Sequence, residues 1–172
     1  GPYTITAVKD GIHTNNWISV EGGKVQITAT DDGMQSKGPV ALNGGTITIA
    51  AEDKGVTAYG DLTVNDGTIQ ISKCEEGLES KNDLTINGGT TEITGNDDGL
   101  NARTSITING GILYAEMNAG DAIDSNGNLS TIRFNRIRYR YIQSENAYEV
   151  EPMWETSKDG GLKLSYSYGI YK

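Results

Sequence analysis

The sequence predicts an all-β fold, a right-handed parallel β-helix of 22-residue coils with three strands per coil and a C-terminal β cap. Three observations predict it. Glu21-Gly22-Gly23, Asn43-Gly44-Gly45, Asn65-Asp66-Gly67, Asn87-Gly88-Gly89 and Asn109-Gly110-Gly111 all end 22 residues apart. Apolar residues recur in the same columns of that repeat, with Thr, Ser, Gln and Lys alternating between them, the period-two mark of half-buried strands. Composition agrees: 23 Gly against 3 Pro and 1 Phe means frequent turns and little aromatic mass for a globular interior.

In chain order, the repeat starts coils at Pro2, Lys24, Thr46, Thr68, Thr90 and Ile112, and the sixth coil carries about one extra residue before Asp121-Ala122-Ile123. The fourth column (Ile5, Ile27, Ile49, Ile71, Ile93) places the first strand's inward face. A corner follows at Gly11, Gly33, Gly55, Gly77 and Gly99, where a shared positive φ is the expected reason for glycine. The eleventh column (Ile12, Met34, Val56, Leu78, Leu100) opens the second strand. Pairs such as Ile18/Val20, Leu62/Val64 and Ile106/Ile108 make the third, and the Gly-Gly corner closes the coil. One coil cannot bury a core alone; stacking at roughly 4.8 Å builds parallel in-register sheets, about 29 Å long for six coils. An antiparallel sandwich would not hold a strict 22-residue phase.

These considerations divide the chain into residues 1–2, which read as a cleavage scar, a β-helix at 3–129 and a capping segment at 130–172. Beyond Leu129 the register is expected to fail. Arg133, Phe134, Arg136, Arg138, Tyr139, Arg140 and Tyr141 alternate basic and aromatic residues there, and a strand-like run follows at Leu162 to Tyr168. An open β-helix end exposes core and strand edges, so two or three capping strands with Trp154 over the last coil are expected.

A net charge of -9 argues against nucleic-acid and membrane partners, which call for basic patches. The single cysteine, Cys74, excludes an intrachain disulfide and reads as inert; oligomeric state is not readable.

The corner before the first Gly column carries acids on nearly every coil: Lys9-Asp10, Asp31-Asp32, Asp53-Lys54, Glu75-Glu76, Asp97-Asp98 and Asp121. Stacked at roughly 4.8 Å, such carboxylates repel. Either solvent and salt screen a plain acidic edge, helped by Lys9 and Lys54, or a hard dication bridges it. Calcium suits the second case, since it takes 6–8 oxygens at about 2.3–2.6 Å from carboxylates, carbonyls and water. By charge alone, Glu75/Glu76 against Asp97/Asp98 ranks first, then Asp97/Asp98 with Asp121 and Asp10 with Asp31/Asp32, and the Asp53/Lys54 level last.

Beside this corner, columns twelve and fourteen of the second strand are expected to point outward: His13/Asn15, Gln35/Lys37, Thr57/Tyr59, Glu79/Lys81 and Asn101/Arg103. Lys37, Tyr59, Lys81 and Arg103 would then form one exposed row, with Gln35 and Asn101 supplying amides. Cations, an aromatic face and amides in a line are what an extended acidic polysaccharide needs. If the row is purely external, removing Lys81 and Arg103 together should weaken binding and leave stability unchanged. Catalysis has less support: His13 is the only histidine and reads as a surface residue, and acids repeated on every coil suit a binding lattice better than one active site.

The pattern Asp-Asp-Gly-x-x-Ser followed by apolar-Thr-apolar-Asn-Gly-Gly-Thr-Ile-Thr-Ile, read from Asp31 to Ile49, resembles a family of secreted bacterial carbohydrate-binding domains in the pectate-lyase-like β-helix superfamily. The likeness spans about residues 3–129. It implies calcium at the Asp-Asp-Gly corners, with Asp31, Asp32, Asp97 and Asp98 as ligands. It also implies an extracellular or cell-surface location and binding without turnover to plant cell-wall polymers, polygalacturonate-type pectin or cellulose. Lys9, Lys54 and Glu75-Glu76 depart from the pattern. The leading expectation is a calcium-dependent binder of acidic polysaccharide; the alternatives are a surface rod stiffened by calcium, a pectate-lyase-like enzyme using Arg103 or Lys81 as base, and an ice binder presenting Thr63, Thr85 and Thr107.

Overall fold

The computed structural model describes residues 1–131 and, beyond them, the strands Arg136–Gln143, Asn146–Val150, Trp154–Thr156 and Leu162–Leu164. It is a parallel β-helix of about six coils. The first sheet stacks Tyr3–Ala7, Lys24–Ala29, Thr46–Ala51, Thr68–Cys74, Thr90–Gly95 and Ile112–Met117; the second runs from Ile12–Thr14 to Ile123–Ser125 and the third from Ile18–Val20 to Asn128–Thr131. Residues pair across coils at a separation of 22, as in Tyr3↔Val25 and Leu78↔Leu100. The extra residue of the sixth coil shows as Leu100↔Ile123 and Ser105↔Asn128. The sheets do not stop at 129. Arg136–Gln143 adds to the first sheet in parallel, Ile112 against Arg136, and Asn146–Val150 then turns back antiparallel. The expected placement of the Trp154 side chain falls outside the described residues.

Each strand contributes a stripe to one continuous core. Ile27, Ile49, Ile71 and Ile93, then Met34, Val56, Leu78 and Leu100, then Val40/Leu42 through Ile106/Ile108 are buried, while Ile5 and Ile12, on strands at the sheet ends among the described residues, are only half-buried. Cys74 is buried, and burial pushes its thiol up to about 12, so the reactive thiolate is suppressed and the inert reading fits.

The two glycine columns differ in backbone conformation, which corrects one expectation. Only the second, represented by Gly45 at φ 88°, uses the left-handed region; Gly11, Gly33, Gly55, Gly77 and Gly99 do not. Their reason is close approach. A Cβ on Gly77 would lie 2.5 Å from the Gly99 carbonyl oxygen and 2.6 Å from Ile93 Cγ2. The coils touch backbone to backbone there, and no side chain fits between them.

Just before the second glycine column, the asparagines form a ladder. Asn109 Nδ2 donates to Asn87 Oδ1, Asn87 to Asn65 and Asn65 to Asn43, each at 2.7 Å, and Asn43 donates to Glu21 Oε1 at 2.9 Å. Bonds from Ser19 and Asn43 hold the Glu21 carboxyl below its ordinary range.

Candidate functional site

Every predicted acid lies at or beside the corner joining the first and second sheets, but the corner does more than expose charge. The ninth-column aspartates reach across to the next coil: Asp10 Oδ1 accepts the Asp32 N–H at 3.3 Å, Asp32 Oδ1 the Lys54 N–H at 3.2 Å and Asp98 Oδ1 the Asp121 N–H at 2.9 Å. Each also binds the side chain three residues on. His13 Nδ1 lies 2.8 Å from Asp10 Oδ2, Gln35 Nε2 donates to Asp32 Oδ2 at 2.9 Å, and Asn101 Nδ2 donates to Asp98 Oδ2 at 3.2 Å. Gln35 and Asn101, expected as outward amides, are half-buried and orient acids instead.

Column twelve is not uniformly exposed. Thr57 and Glu79 are buried, at 2% and 3% exposure. In an in-register stack Thr57 lies between the larger Gln35 and Glu79, which close over it. Glu79 replaces the donor found at this position on neighbouring coils, so coil 4 sets Glu79 three residues after Glu76 where coils 1, 2 and 5 pair an acid with a donor. Lys81 Nζ bonds to Glu79 Oε1, while Glu79 Oε2 is buried with no hydrogen-bond partner among the described residues. Burial, with the Glu79 charge added, raises Glu76 to about 7. Sequence reasoning placed Glu79 in the solvent; the i, i+3 spacing from Glu76 was the available signal.

This pairing makes stability depend on pH. Glu76 titrates near 4.5 when unfolded and near 7 when folded, so its contribution is fully present below about 4.5 and is lost as pH rises through about 7. Without metal, Glu76→Gln is expected to match the parent near pH 4.5 and to be the more stable of the two at pH 8. Denaturant curves across that range check it; parallel profiles would exclude the effect.

The acids that converge are not those ranked first by charge. Among the described residues, the group with one ligand oxygen apiece inside 4.8 Å of one another is Asp31, Asp32 and Asp53. An ion with ligand distances of about 2.3–2.6 Å can bridge oxygens so spaced, so the three fit calcium. Asp32 is 2% exposed, and burial raises its carboxyl above the usual range, an unfavourable state that a dication would relieve. On the far side of Asp53 an ammonium already sits. Lys54 Nζ is 3.1 Å from Asp53 Oδ1 and 3.8 Å from Glu76 Oε1. Burial works against its charge, but these carboxylates outweigh burial and raise its pKa. Glu75, Asp97 and Asp121 remain at the corner outside the converging group; burial raises Asp98 and Asp121 as well.

Of the predicted row, Lys37, Tyr59, Lys81 and Arg103 are all exposed. Lys37 Nζ stands 3.9 Å from the Tyr59 ring centroid and bonds Gln35 Oε1 at 3.0 Å. Lys81 is not purely external: its loss would leave the buried Glu79 carboxylate unpaired, so the expectation of unchanged stability fails for that residue.

A family described as "Carbohydrate-binding domain-containing protein" matches residues 1–127. No curated protein and no solved structure matches the chain.

Proposed function

The chain belongs to this family of carbohydrate-binding domain-containing proteins, and from that membership we propose that it binds acidic plant cell-wall polysaccharide of the polygalacturonate type without cleaving it, outside the cell or at its surface. The observation that carries the reading is the exposed row of Lys37, Tyr59, Lys81 and Arg103 along a corner of an otherwise acidic rod. A protein at -9 repels a polyuronate overall, so affinity has to come from these local cations and from calcium. Asp31, Asp32 and Asp53 would hold the ion, whose two charges would offset most of their three and whose remaining coordination positions would take uronate oxygens.

A glycan array run with calcium and again with chelator tests the function directly; equal signals for acidic and unrelated glycans, or none, would overturn it. For the row itself, the better pair to remove is Lys37 and Arg103, because Lys81 also serves Glu79. The double alanine variant is expected to bind polygalacturonate at least about tenfold more weakly, with a steeper loss for the parent as salt rises. Undiminished binding would show that the row is not the contact. Release of unsaturated, ultraviolet-absorbing oligosaccharides by the parent would replace binding with lyase activity.

A further inference from the structure

We propose that the second corner of coils 1 to 3 is a sugar-stacking platform, on which Trp17 and Tyr59 hold an extended 1,4-linked acidic glycan running parallel to the stack. The inference rests on the carbohydrate-binding reading and specifies where the chain lies, in which direction, and which unassigned residue grips it.

Trp17 is 59% exposed and Tyr59 47%. Single apolar side chains on a surface need no explanation, but these two share one corner. Trp17 immediately precedes the third-sheet strand Ile18–Val20, and Tyr59 immediately follows the second-sheet strand Lys54–Ala58, so both flank the bend between those sheets. They belong to coils 1 and 3, which sets them about 9.6 Å apart along the axis.

The ground between them is low. A Cβ on Gly38 would lie 1.9 Å from the Asn16 carbonyl oxygen, and one on Gly60 would lie 2.9 Å from Pro39 N. No side chain rises at either position, and the exposed Pro39 floors the gap with apolar surface. Lys37, from the intervening coil, holds its ammonium 3.9 Å over one face of the Tyr59 ring, so a sugar would stack on the opposite face. Two rings with a flat floor and a cation between them suit a chain lying across the coils.

Sugar chemistry fits the spacing and the polarity. Aromatic faces carry negative charge density and attract the weakly positive C–H face of a pyranose ring. In an extended 1,4-linked glycan each residue advances by about one coil spacing, so sugars stacked on Trp17 and Tyr59 are separated by one intervening residue. The carboxylate of that residue comes to the level of Lys37, and the chain continues toward Lys81 and Arg103 on coils 4 and 5. A protein partner fits less well, because a stable interface needs about 800 Å² per side and the rings stand apart over a glycine floor.

The experiment titrates the whole chain with di- and tetragalacturonide, following tryptophan emission and binding heat, in the parent and in Trp17→Ala and Tyr59→Ala. Both side chains lie outside the core, so melting curves should be unchanged. Each variant is expected to bind the tetramer about tenfold more weakly. The parent should prefer tetramer to dimer, since only the tetramer spans both rings, and the Trp17 contribution to the emission change should vanish in Trp17→Ala. Variants that bind like the parent, or a dimer that binds as well as the tetramer, would overturn the platform while leaving carbohydrate binding intact. Loss of self-association in Trp17→Ala, with glycan affinity unaltered, would overturn it in favour of a protein contact. If the parent binds no acidic oligosaccharide at all, it is the acidic-glycan reading that falls.

Discussion

Gly77→Val is expected to destabilise the protein by about 3 kcal/mol, and Gly77→Ala by a substantial part of that. The cause is contact rather than backbone conformation. A Cβ on Gly77 would sit 2.5 Å from the Gly99 carbonyl oxygen, and the neighbouring Ile93 methyl at 2.6 Å belongs to the packed core. Neither can give way alone, because the carbonyl accepts the Leu78 N–H at 2.9 Å within the second-sheet stack and Ile93 is fully buried. Relief would require coils 4 and 5 to separate, breaking pairing on all three sheets. Gly22→Ala is the control: a Cβ there meets nothing within 4 Å, and a change within about 0.5 kcal/mol is expected. Denaturant unfolding of the two variants side by side decides the matter; a Gly77→Ala protein as stable as its parent would refute the close-approach account.

Calcium is expected to raise stability by about 2.7 kcal/mol at 100 times its dissociation constant, through one site that exists only in the folded chain. The corner brings Asp31, Asp32 and Asp53 within 4.8 Å of one another, and the unfolded chain does not. In the absence of metal, burial raises the Asp32 carboxyl above its usual range, and the Asp53 charge adds to it. Asp31→Asn with Asp32→Asn should therefore lose most of the calcium increment, while Asp97→Asn, outside the converging group, should retain it. Thermal melts with calcium and with chelator provide the measurement, and superimposable curves for the parent would remove calcium from the account.

The architecture could be read from column phase alone because a solenoid repeats one local decision many times. Ile49 and Leu78, placed inward by their columns, are fully buried, and the single inserted residue of the sixth coil appears as the shift from 22 to 23 in the pairing of Leu100 with Ile123. What phase did not reveal was why a column is glycine, or what covers an outward-facing side chain. Gly77 and Gly45 look alike in sequence, and at both a Cβ would meet a carbonyl of the neighbouring coil at 2.5 Å, yet only Gly45 also takes the left-handed region. Glu79 alternates outward from its sheet as period two requires, but side chains meet at a corner from i+2 and from the adjacent coils, and Lys81 closes over it. The converging acids were hidden for a related reason. Residue type ranked Glu75/Glu76 with Asp97/Asp98 first, whereas convergence depends on side-chain length and direction and gathers Asp31, Asp32 and Asp53.

The asparagine ladder gives the rod a chemical polarity. Every amide in it spends its donor on the coil below and offers its carbonyl to the coil above, so the series begins at the ionised Glu21 and has an arrow. A duplicated coil carrying its own asparagine would enter such a series as donor and acceptor at once and leave both ends as they were. A coil lacking that asparagine would instead break the series and hand one donor and one acceptor to solvent. The rod can therefore grow by whole coils with no change in the chemistry at either end of the ladder.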